Sequence, residues 1–318
     1  MRPMRRILSS TIVLGLLATP GATLAHGADV PAPAFPDVLF QWTLDPLPLL
    51  GIVLAGAAYL WAVRHVNRAH PANRQPVHRS WLFGGGLAAI GVALLSPIEA
   101  YEGMLFSVHM IQHMLLELVA APLLLAGAPI TLTLRAANPP LRRGLLRILH
   151  SRVVRVVSFP VVAWILFAAV NWGWHFSMLY DDALENQALH YLQHASFLGA
   201  ALLFWWPVVG ADPSPWRLPH PARLLYLFLA MPQNSFLGVA LMSASTVLYP
   251  HYLTNMRVWG LAPLDDQALG GVIMWVVGDL AFLAGMMVVV VLWMRHEDRR
   301  TEGLDRRLAA ERAARGEL

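Results

Sequence analysis

The sequence contains no cysteine and no lysine, and charge of either sign is scarce: 13% of its 318 residues are charged. Without cysteine there is no disulfide, no thiolate zinc site and no cysteine-based copper(I) site. Any metal must be held by histidine, methionine, carboxylate or backbone groups. A soluble domain carries about 25% charged residues. A shortfall of that size, with 57% hydrophobic residues and a mean hydropathy of +0.53, means that most of the surface faces lipid. The net charge of +4 is therefore no nucleic-acid signature. Its arginines fall in short clusters between apolar runs, as they do where they set the orientation of a membrane protein.

Residues 1–25 read as a secretory signal peptide. Arg2, Arg5 and Arg6 form a basic start, Ile7 to Ala18 an apolar stretch short for a full span, and Thr23 and Ala25 are small residues at the positions a signal peptidase reads. Cleavage after Ala25 makes His26 the new N-terminus, where its amine and imidazole can chelate a metal together. Seven apolar runs follow, at about 46–64, 81–98, 105–126, 156–175, 188–209, 222–247 and 268–294. The expected fold is an all-α polytopic membrane helix bundle of about seven transmembrane helices, spanning 26–297. A charged tail, 298–318, follows as a solvated helix.

The loops alternate in charge. Arg64, Arg68, Arg74 and Arg79 follow the first run, Arg135 to Arg155 the third, Arg217 and Arg223 the fifth, and Arg295, Arg299 and Arg300 open the tail. The intervening loops carry Glu99 and Glu102, then Asp181, Asp182 and Glu185, then Asp265 and Asp266 with one arginine, Arg257. The positive-inside rule puts the N-terminus outside and the C-terminus in the cytoplasm.

That topology sorts the 13 histidines. His65, His70, His78, His150, His220 and His296 fall on the cytoplasmic side, among arginines. The outer set is His26, His109, His113, His175, His190, His194 and His251. His109 and His113 are i and i+4 at the start of the third run, and His190 and His194 repeat the spacing at the start of the fifth. Residues four apart lie on one helix face, so each pair aims two imidazoles at one point. Ionisable groups inside a span are costly and mark function by default. His175 ends the fourth run on the same side, and Glu117 extends the first stripe by a turn. Met104, Met110, Met114 and Met178 accompany the cluster as soft donors or as plain apolar filling. Gln233, Asn234, Ser235, Asp279 and Asn171 read as hydrogen-bonding residues between helices.

Three ordered blocks resemble the CtaG-type cytochrome c oxidase assembly factors: SVHMIQHMLLELVAAPLLLAGAPITLTLRA from Ser107, WHFSMLYDDALENQALHYLQHASFLGAALLFWWPVVG from Trp174, and MPQNSFLGVAL with LYPHY and DDQALGGVIMWVVGD. Ser177 departs from the pattern, which commonly has proline there. The resemblance implies a seven-helix protein of the bacterial inner membrane that helps assemble cytochrome c oxidase by supplying copper, and it implies no enzyme. The expected metal ligands are His109, His113, His190, His194, His175 and His26. The expected partners are oxidase subunits, a periplasmic copper carrier and membrane lipid, with no nucleic acid. The residues alone leave other readings open: an intramembrane zinc-dependent hydrolase using Glu117 or Asp279 as base, a haem b membrane cytochrome, or a metal transporter.

Overall fold

Side-chain caps and prolines at helix starts deal with the first free N–H groups of several of the apolar runs. In the computed structural model, which describes residues 32–176, 178–254 and 259–315, Asp45 caps α1 (Pro46–Ala69) by accepting from the Leu47 N–H at 3.0 Å. Asn186 caps α5 (Gln187–Val209) through the N–H groups of Ala188 and Leu189. Gly210 ends α5 at φ +61°, a left-handed conformation that glycine adopts without strain. Proline opens α4 (Pro160–His175), α6 (His220–Met242) and α7 (Pro263–Ala314), where its missing N–H costs nothing. The remaining spans are α2 (Val77–Leu95) and α3, which runs through Phe106–Met114, Leu115–Ala120 and Ala121–Ala126. The expected signal peptide, His26 and Ser177 lie outside the described residues.

Among the described residues, six helices are long and apolar enough to cross a membrane, and seven when α4 counts as one span with the short helix Leu179–Glu185, set at 69° to it. Among the described residues there is no strand, so the chain is an all-α polytopic bundle. The most buried spans are α3 and α5, while α1 is the least. Outward-facing Leu50, Trp61, Phe236 and Leu280 are exposed as lipid contact requires. The largest packing interface joins α6 to α7, where Gly238 and Gly271 face each other so closely that a Cβ on Gly271 would lie 2.6 Å from the Gly238 carbonyl oxygen.

The expected interhelical polar residues do pair. Ser235 donates to Asp279 at 2.7 Å and Asn234 to the Met274 carbonyl at 2.9 Å, both between α6 and α7. The indole of Trp172 donates to Gln233 at 3.1 Å. At the far end, α7 continues without a break to Ala314, and its charged turns are laced by Glu302–Arg306 and Glu311–Arg315 pairs at i,i+4.

Candidate metal centre

The histidine-bearing turns of α3 are placed by a cap from another span. The Asp266 carboxylate of α7 accepts from the Phe106 N–H at 2.7 Å and from the Ser107 hydroxyl at 2.5 Å, so α3 starts at a fixed position and rotation. One helical turn apart, His109 and His113 then meet, with their Nε2 atoms 2.8 Å apart. His190 and His194 face them from the first turns of α5. The ring centroids are 5.6 Å apart for His109–His190 and 5.7 Å for His113–His194. All four rings are buried. Two spacing motifs on separate helices thus converge on one point, at the end of the bundle that carries the acidic loops.

Glu102 completes this cluster. It closes the short helix Pro97–Glu102, which begins at Ser96, whose hydroxyl accepts from the Ile98 N–H. The Glu102 carboxylate lies 2.7 Å from His109 Nδ1 and 3.7 Å from His190 Nε2, with only 1% of the residue exposed. Tyr252, in the loop before α7, donates to the Glu102 carbonyl at 3.2 Å. Burial, and then the Glu102 charge, push the Tyr252 phenol well above its usual range, so it stays a donor.

The sequence carried a sign of Glu102 that charge counting hid. Ser96-x-x-Glu99 has the pattern of a capping box, so a new helix begins at Pro97 and sets Glu99 and Glu102 three apart on it. The Glu99 carboxylate then meets Gln112, whose side-chain amide donates to it at 2.5 Å and to the Ala93 carbonyl at 2.9 Å. In turn His194 donates from Nε2 to Gln112 Oε1 at 3.0 Å, leaving Nδ1 with its lone pair.

Among the described residues, two overlapping groups of side chains have their ligand atoms within 4.8 Å of one another: His109, His113 and His194, and Glu102, His109 and His190. The protonation pattern also fits a cation. A neutral His109 with its proton on Nδ1, 2.7 Å from the Glu102 carboxylate, presents Nε2 as a lone pair toward His113 Nε2. Either His113 donates there and leaves its buried Nδ1 without a hydrogen bond, or it carries its proton on Nδ1 and two lone pairs face each other. A cation between the rings relieves both conditions.

The other expected ligands stand apart. His175 donates from Nδ1 to the Asn171 carbonyl at 2.7 Å, and its buried Nε2 has no hydrogen bond; the ring lies 6.2 Å from that of His113. It belongs to neither group but borders one. His251 donates to the Gly103 carbonyl at 3.0 Å and so braces the end of the short helix. Met110 and Met114 pack in the apolar core beside Phe106, while Met178 is exposed. Glu117 leaves the histidine stripe because it falls in a π-helical turn, Leu115–Ala120. The extra residue in that turn carries it toward α4, where Asn171 donates to it at 3.0 Å.

Residues 57–296 match the model of a family described as cytochrome c oxidase caa3 assembly factor. Similar proteins include uncharacterized proteins of Mycobacterium bovis and Mycobacterium tuberculosis, each 34% identical over 88% of this chain and 43% of the relative. A third, from Mycobacterium leprae, is 32% identical over 81% of this chain and 40% of the relative. The chain thus spans less than half the length of these curated relatives. No solved structure matches it. The family match takes in α2 to α6 whole and most of α1 and α7, and with them every residue of the two metal-competent groups: the chain belongs to the cytochrome c oxidase caa3 assembly factor family.

Proposed function

We propose that the protein assists cytochrome c oxidase assembly by holding copper at the histidine cluster, on the outer side of the bacterial inner membrane, and releasing it to an oxidase subunit or a periplasmic copper carrier. The observation that carries this reading is the convergence of two i,i+4 histidine pairs from two spans, with ring centroids 5.6 Å apart for His109–His190 and 5.7 Å for His113–His194. Four such groups, with Glu102, are a large cost inside a span unless they bind something. Imidazole and carboxylate suit copper, which stands at the top of the divalent affinity series. Without thiolate, the site also lets its cargo go. The acidic loops at the same end draw cations toward it.

The alternatives find less support. A porphyrin has no plane to occupy between rings in mutual contact, with His190 and His194 centroids 4.2 Å apart. A hydrolase needs a base beside a metal-bound water, but Glu117 is engaged by Asn171 and Asp279 by Ser235.

The test is bound metal in the purified, detergent-solubilised protein, measured by mass spectrometry with the visible spectrum. We expect copper in the wild type and its loss in a His109→Ala/His113→Ala double variant, without a Soret band. Zinc in place of copper would favour the hydrolase, and a Soret band the cytochrome. In cells, the double variant and gene deletion are both expected to lower oxidase activity. Full oxidase activity after deletion would sink the assembly role.

A further inference from the structure

The two nitrogens of the His109 ring face different neighbours. Nε2 looks to His113 Nε2 at 2.8 Å, with His194 beside it. Nδ1 looks to the Glu102 carboxylate at 2.7 Å, with His190 beside it. The two metal-competent groups have His109 alone in common. We propose that the cluster is a two-ion centre, with one metal on each nitrogen of His109 and the imidazole ring as the bridge between them. The inference rests on the copper-handling reading and specifies its capacity.

The spacing allows it. Ions bonded at about 2.0 Å to each nitrogen of one imidazole lie about 6 Å apart. Ligand atoms around one ion lie about 3.3–4 Å apart, so the 2.8 Å His109–His113 and 2.7 Å His109–Glu102 contacts open by about 1 Å when an ion enters, within groups whose ligand atoms span up to 4.8 Å.

The protons balance as well. Without ions, a neutral His109 carries its one proton on Nδ1, the nitrogen beside Glu102, and His113 carries its proton on Nε2, facing His109 Nε2. When two ions replace them, His109 gives its single N–H proton to solvent and becomes an imidazolate. His113 keeps its own proton but moves it to Nδ1, the atom that now lacks a hydrogen bond. One proton is released for two ions.

Charge supplies the third argument. Two divalent ions would be ruinous in an apolar bundle without countercharge. Here the imidazolate and the Glu102 carboxylate bind them directly. A single ion on His113 and His194 would leave Glu102 and His190 with no metal to hold. The ligand class is a pair of first-row cations that accept nitrogen and carboxylate, for which Cu(II) is the probe.

The experiment loads the purified full chain with Cu(II) in detergent, removes excess by gel filtration, and measures copper per chain together with the electron paramagnetic resonance signal. Two coppers per wild-type chain, with signal intensity well below that of two isolated ions, are expected, because an imidazolate bridge couples their spins. Glu102→Gln/His190→Ala and His113→Ala/His194→Ala should each hold one copper with a full uncoupled signal. The wild-type signal decides the question even if a variant fails to fold. One copper in the wild type, kept in Glu102→Gln/His190→Ala, overturns the two-ion centre and leaves the single-site copper reading intact. No copper in the wild type overturns both. Two coppers retained in both variants place the second ion elsewhere and overturn the bridge.

Discussion

The Gln112 side chain hydrogen-bonds the candidate ligand His194 and holds three directions at once. Its amide donates to Glu99 and to the Ala93 carbonyl, and its carbonyl accepts from His194. The side chain is wholly buried. Such an outer partner fixes the ring orientation and tautomer of a ligand, and its loss typically costs 10–100-fold in metal affinity. Gln112→Leu keeps the volume and removes every one of these bonds. Copper affinity is expected to fall about 10-fold, measured by competition with a chelator, while the protein still purifies as a monodisperse species. Unchanged affinity would mean that His194 is held by its packing alone. Gln112 was out of reach of sequence spacing, because a glutamine in an apolar run looks like any interhelical hydrogen-bonding residue. The histidines were within reach, since the i,i+4 rule places both partners on one face without any knowledge of what they face. Glu102 lay between: its negative charge pointed to loop topology, and only the short helix from Pro97 turns it inward.

At the scale of elements, apolar length located all seven runs, and polar details set their ends. The sixth run was expected to reach residue 247, but α6 stops at Met242. Residues 243–248 leave the helix because Gln267 of α7 satisfies them, accepting from the Leu248 N–H at 2.7 Å and donating to the Thr246 carbonyl at 3.3 Å. The fourth run was expected from 156, but Pro160 starts α4 afresh after the separate helix Arg152–Val157. The π turn in α3 carries no sequence signature, so Glu117 seemed to continue the histidine stripe. The α6–α7 pair gives the sharpest element-scale prediction. A side chain at Gly271 meets backbone, the Gly238 carbonyl oxygen and the Met242 nitrogen, each 2.6 Å from its Cβ, and backbone has nowhere to go. Gly271→Val is expected to destabilise the bundle by about 1–3 kcal/mol or more, seen as a lower thermal transition in detergent. Because α7 also caps α3 through Asp266, copper retention should weaken with it. Gly144→Val, at a glycine with open space around it, should leave the transition in place.

The whole molecule is polarised end to end. The histidine cluster, Glu99, Glu102, Asp181 and Asp266 gather at one end, while the helices Pro139–Leu149 and Arg152–Val157 carry arginines and bury no residue at the other. The alternation of loop charge therefore predicts both a topology and the side from which the metal arrives. A fluorescent protein fused after Leu318 should fluoresce, as it does in the cytoplasm, and an alkaline phosphatase inserted after Leu261, in the exposed stretch before α7, should be active, as it is only outside. The same orientation makes a functional demand. A membrane-impermeant chelator added to intact cells lacking an outer membrane barrier should strip copper from the protein, and at a rate that Gln112→Leu increases. If the fusions report the opposite orientation, the cluster opens to the cytoplasm. Delivery to a copper centre formed outside would then require passage through the bundle, past an inner half where Asp279 is already bonded to Ser235.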